Sequence, residues 1–181
     1  MIYSTVNVAQ WLLTETKRQG INITHMKLQK LLYYTQAYFL GMTGQPLFYN
    51  QIQAWQHGPV VPDVYSIYNK FGSNVISVTN DTPAPAELAA LISDIISDKG
   101  KLSAHDLRNM THNETAWQEA WNNTNSRIIS NDMIEKCFSD MFWTSDEEDE
   151  YQPSFNSLEE ENKYFQDNIS DEERNAILKS R

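Results

Sequence analysis

The side chains with the widest chemical repertoire in this chain are its four histidines and its single cysteine. Histidine acts as a general base or a metal ligand only where a second group orients it. His25, His57, His105 and His112 stand in no metal-type spacing with one another, with Cys137 or with paired carboxylates, so no metal and no cofactor is expected. His57 precedes Gly58-Pro59, and His112 lies in the stretch THNETAW; each reads as a ring that fixes a turn by donating to a backbone carbonyl. His105 and Asp106 are adjacent, but in a first helical turn Asp106 is a capping acid rather than the orienter of a base. There is no phosphate loop, dinucleotide fingerprint, nucleophile elbow or HExxH zinc motif. The sequence predicts a protein that is not an enzyme.

The densest stretch is residues 51–71, QIQAWQHGPVVPDVYSIYNKF. Gly58 before Pro59 requires a tight, non-helical backbone, because proline fixes its own φ and pushes its predecessor out of the helical region. Pro62 suits the first turn of a helix, where its missing N–H costs nothing. Down that helix Val64, Ile67, Tyr68 and Phe71 make one apolar stripe, and Gly72 sits where a C-terminal cap is wanted. Trp55 and His57 are thereby held just ahead of a fixed helix. Trp55, Trp117 and Trp121 suit either a groove for a ligand or partner, or, at helical spacing, a core.

The elements that must position these groups come from 181 residues, 40% of them apolar, enough for one core. A net charge of −10 argues against binding a phosphate backbone. One cysteine excludes an internal disulfide and fits a reducing compartment. No basic leader precedes an apolar run, and no stretch approaches the roughly 18 apolar residues of a membrane span, so a soluble, cytoplasmic protein is expected. Charge divides the chain: residues 1–140 hold 12 acids and 10 bases, net −2, and residues 141–181 hold 12 acids and 4 bases, net −8.

Ser4 caps a first helix that ends at Gly20, with Ile21 placed for the contact that follows a glycine cap. Thr24 opens a second helix, apolar nearly all round from Met26 to Leu40 and ended by Gly41 and Gly44; this is the predicted central helix. Lys27, Gln29 and Lys30 are polar only in its first turn and a half, so that end is expected to reach solvent or a carboxylate. Residues 47–55 and 75–78 are weak strands that could pair as a ribbon. Leu88, Leu91, Ile92, Ile95 and Ile96 mark a helix from Ala86 to Gly100, Ser103 and Asp106 a capping box, Asn113 the cap of a helix bearing Trp117 and Trp121, and Ser130 the cap of a last helix with Met133, Ile134, Cys137, Phe138, Met141 and Phe142. The fold class is mainly α: a compact helical bundle around a central buried helix over residues 1–143, with at most a small β-ribbon. Residues 144–181 form an acidic linker and a short helical extension with capping boxes at Ser157/Glu160 and Ser170/Glu173.

Three blocks carry a resemblance: KLQKLLYYTQAYFLGMTGQPLFYNQIQAWQHGPVVPDVY, SAHDLRNMTHNETAW and RIISNDMIEKCF, together covering about residues 5–140. They resemble the Panacea domain, an antitoxin domain of the SocA and GepA type. The resemblance implies a mostly helical antitoxin, encoded beside a toxin in a bacterium or phage, that neutralises the toxin by protein contact. It also implies an alternative, an adaptor that delivers the toxin to a ClpXP-type protease. The candidate partners are a cognate toxin, such a protease and a second copy of the chain, with no membrane and no direct nucleic acid. The motif residues are Lys27, Lys30, Leu31, Tyr34, Trp55, His57, Gly58, Pro59, Val60, Tyr65, Thr111, His112 and Trp117, of which Gly58 and Pro59, with Pro62, are structural. Ala116 stands where the family often has proline.

The C-terminal extension lies outside the resemblance. Five consecutive acids, 146–150, precede a segment whose few apolar groups include Tyr164, Phe165, Ile177 and Leu178. That is the composition of a tether with docking anchors: charge would aid encounter with a basic toxin surface and the anchors would slow release. The same anchors would also suit packing on the chain's own bundle.

Overall fold

The structure, a computed structural model, describes residues 2–77 and 81–142. The acidic run, the two expected tail helices and the anchors Tyr164, Phe165, Ile177 and Leu178 lie outside the described residues, as does Val78. The described chain folds mainly as helices: α1 (Thr5–Arg18), α2 (His25–Thr43), α3 (Pro62–Tyr68), α4 (Ala86–Lys99), α5 (Ala104–Asn113), α6 (Thr115–Asn122) and α7 (Asn131–Phe142). A small antiparallel sheet, ordered β2-β1-β3, is made by β1 (Ile52–Trp55), β2 (Gly58–Val60) and β3 (Ile128–Ile129).

Local chemistry sets the helix ends as the sequence leads one to expect. The Ser4 side chain accepts from the Val6 amide. At the other end of α1, Gly20 has φ +68, its amide donates to the Lys17 carbonyl, and the Ile21 amide donates to the Thr16 carbonyl 2.8 Å away; this pair of bonds satisfies carbonyls the helix leaves open. Thr24 caps α2, Ser103 and Asp106 form the expected reciprocal box, and the Ser130 hydroxyl accepts from Met133. Pro62 opens α3.

Helix α2 is the axis of the molecule. Leu28, Leu31, Leu32, Tyr33, Tyr34, Ala37 and Leu40 are all buried, so the helix shows protein on every side. α1, α4, α5 and α7 pack around it.

Several expectations are corrected. α2 runs through Gly41 to Thr43, and only Gly44, with φ +65, ends it. Segment 75–76 does not pair with β1: Val75 bridges Thr24, and the Ile76 amide donates to Ile23 at the entrance to α2. β1 instead takes β2 and β3 as neighbours. Of the α3 stripe Val64 is buried but Ile67 is exposed, because the helix tightens after Tyr68 into a 3-10 turn (Asn69–Phe71) that breaks the period. Glu114, not Asn113, precedes α6; its extended backbone (φ −84, ψ 135) separates α5 from α6, and its carboxylate reaches back to α2 instead of capping. Lys27, Gln29 and Lys30 reach neither solvent nor a carboxylate; all three are buried against backbone polar groups.

Candidate partner-binding site

The site begins with how α2 holds the β1–β2 hairpin. Trp55 pairs with Gly58, leaving Gln56 and His57 at the tip. β2 is an edge strand, and its outer edge meets side chains instead of another strand. The Lys30 ammonium donates to the Pro59 carbonyl at 2.9 Å, and the Val61 amide donates to the Gln29 side-chain oxygen at 2.8 Å. Polar side chains of the central helix thus replace a fourth strand and close the edge. Gly58, at φ +98, lies directly on Lys30: a Cβ there would come within 2.6 Å of Lys30 Cε and 2.8 Å of Thr111 Oγ1. The Gly-Pro pair is therefore required for contact with Lys30 as well as for the turn. Lys27 works in the same way on α4, its ammonium 2.6 Å from the Gly100 carbonyl, where a positive charge suits a helix C-terminus.

The break at Glu114 folds α6 back so that aromatic rings stack. The His112 and Trp117 rings lie 3.8 Å apart at 11°, and Trp117 and Trp121 lie 5.2 Å apart at 12°. The Arg127 guanidinium sits over the outer face of Trp121 at 3.8 Å, a favourable cation–π position. The Trp117 indole donates to the Trp55 carbonyl at 3.2 Å and so ties this ladder to the hairpin. On the other side Trp55 packs against Tyr65 at 4.8 Å, and Tyr65 against His25 at 4.6 Å.

The motif residues divide by depth. Lys27, Lys30, Tyr34 and Trp117 are buried; Trp55, Tyr65 and His112 are half-buried; His57 and Arg127 are exposed. Arg127, Trp121 and Arg108 were not among the residues expected at the site. Arg127 escapes sequence reading because a polar loop separates it from Trp121. Tyr34 belongs to the bundle: its hydroxyl donates to Glu114 at 2.7 Å, and Lys99 lies 4.7 Å over its ring. Burial raises the Glu114 carboxyl above its usual range although Tyr33, Tyr34 and Lys99 act against it, and burial together with Glu114 raises both tyrosines.

Around the hairpin the field is positive. Lys30, 1% exposed and without a carboxylate partner, is pushed down to about 7 by burial and by Arg108. His112 is lowered by burial, then by Arg108, Lys30 and His57; His25 is lowered by burial and Lys30. Among the described residues no cluster of His, Cys, Asp or Glu could hold a metal ion. An open recess of about 350 Å³ between the end of α1 and residues 75–77 contains none of the motif residues. No described helix is long and apolar enough to cross a membrane.

Comparison with known proteins agrees with this geometry. The family described as "Antitoxin SocA-like, Panacea domain" matches residues 28–118, from the buried face of α2 through the hairpin to the tryptophan ladder. The third sequence block, 127–138, lies beyond that match. Antitoxin SocA of Caulobacter vibrioides (strain NA1000 / CB15N) is 30% identical over 118 residues, covering 58% of this chain and 63% of the relative. The chain thus spans less than two thirds of that relative's length. No solved structure matches. The matched region is half of the chain and holds the hairpin with the groups that fix it, and the chain belongs to the SocA-like, Panacea-domain antitoxin family.

Proposed function

We propose that this protein is a cytoplasmic antitoxin that neutralises a cognate toxin by direct binding and has no catalytic activity of its own. The observation that carries the reading is the surface the family region builds: a hairpin tip bearing His57, backed by Trp55 and Tyr65, beside the His112–Trp117–Trp121–Arg127 ladder. Half-buried aromatics beside an arginine are the composition of an interface core, where tryptophan, tyrosine and arginine contribute most of the energy. The groups beneath are hydrogen-bonded into α2, so the surface is preorganised and little ordering entropy opposes binding.

The test is co-expression with the protein encoded by the adjacent reading frame. Rescue of growth together with a co-purifying hetero-complex is the expected result; rescue without any detectable complex contradicts direct binding. Toxin half-life separates sequestration from proteolytic delivery. Under our reading the silenced toxin persists, whereas a shortened half-life would make the chain an adaptor for a ClpXP-type protease.

A further inference from the structure

Lys30 from α2, His57 from the hairpin tip and Arg108 and His112 from α5 converge on one place: each of the other three acts electrostatically on His112, and Lys30 lies against Gly58, the neighbour of His57. Among the described residues none of the four is ion-paired or hydrogen-bonded to a carboxylate. Two of their nitrogens, Arg108 Nε and His112 Nε2, are buried with no hydrogen-bond partner. Folded proteins rarely leave such groups unmatched, and gathering like charges adds a repulsion that packing does not relieve. The unmet requirement is an acceptor that carries negative charge.

We propose that Lys30, His57, Arg108 and His112 form a binding site for an oxyanion, either a phosphoryl group or a carboxylate. The inference does not depend on the antitoxin reading. An oxyanion beside Arg108 and His112 accepts from both orphaned nitrogens and offsets the repulsion among all four groups. His57 is exposed and Arg108 and His112 half-buried, so the site opens to solvent at the hairpin tip. The Trp117 ring, flat on His112, holds that imidazole in place. The chain's net charge of −10 repels extended polyanions, so this local patch suits a single anionic group, not a nucleic-acid backbone.

The test follows the histidine ring resonances of the full chain by NMR while inorganic phosphate, and separately acetate, replaces chloride at constant ionic strength. Saturable shifts at His57 and His112 are expected with at least one probe. Arg108→Gln should weaken binding about tenfold or more, as expected for loss of a charge-assisted donor. Arg108 makes no side-chain hydrogen bond, so its melting temperature should hold; His57→Gln, at an exposed position, gives a second variant that should also weaken binding. A stronger response to phosphate assigns a phosphoryl ligand and a stronger response to acetate a carboxylate. Shifts matching chloride, failing to saturate, or persisting undiminished in both variants overturn the proposal.

Discussion

At the scale of single residues, Lys30 has the most unusual environment. Its ammonium has one neutral partner, the Pro59 carbonyl, and its affinity for a proton falls from an ordinary 10.5 to about 7. Between pH 7 and 10.5 the unfolded chain holds a proton that the folded chain has released, so Lys30 makes stability rise with pH across that window, by at most about 1.4 kcal/mol per unit. Below pH 7 both states hold the proton and the contribution is flat. Replacing Lys30 by Met should remove that slope: urea unfolding midpoints of wild type and Lys30→Met, compared at pH 6, 7, 8 and 9, should diverge in favour of wild type as pH rises. Parallel curves would contradict the burial. Gly58→Ala should destabilise by about 2 kcal/mol or more, measured the same way, since φ is positive and the added methyl has no room. The importance of Gly58 was legible in the sequence; its reason was only half legible. Proline rules predict a turn, but no local rule says that a lysine 28 positions earlier lies under it.

At the scale of elements, caps and periodicity carried most of the fold. Ser4, Thr24, Ser103 and Ser130 act within a few residues of themselves, so their neighbours in sequence are their neighbours in space. What escaped reading are side chains that substitute for backbone pairing. Lys27, Gln29 and Lys30 look like a solvated helix end, because helical spacing shows that they share a region but not that a strand edge and a helix end face it. Gln36 was not singled out at all, yet its oxygen accepts from the Leu47 and Phe48 amides and its nitrogen donates to the Phe48 carbonyl and to Asn131. It joins the chain after α2 to the start of α7. Gln36→Ala should lower stability by about 2–4 kcal/mol, because it leaves several buried backbone groups unpaired. A loss under about 0.5 kcal/mol in chemical denaturation would show that this link is dispensable. β3, two residues long, was too short to signal anything, and its place beside β1 depends on a contact across more than seventy positions.

At the scale of the whole molecule, the family match and the structure agree on one compact helical body and a hairpin held against it, while the expected role of residues 144–181 rests on composition alone. Their net acidity and sparse apolar anchors predict a docking segment for a basic toxin. Removing them should leave the melting temperature of the body unchanged and weaken toxin binding most at low salt, where screening is least. Unchanged affinity at every ionic strength would assign toxin capture to the family region alone. The most direct test of the central claim is the dissociation constant of the full chain for its toxin, measured by calorimetry for wild type and for the double variant His57→Ala, Arg127→Ala. Both side chains are exposed, so the fold should be unaffected. The account predicts a loss of at least about tenfold, or 1.4 kcal/mol, with an unchanged melting temperature; equal affinity would place the toxin on another surface.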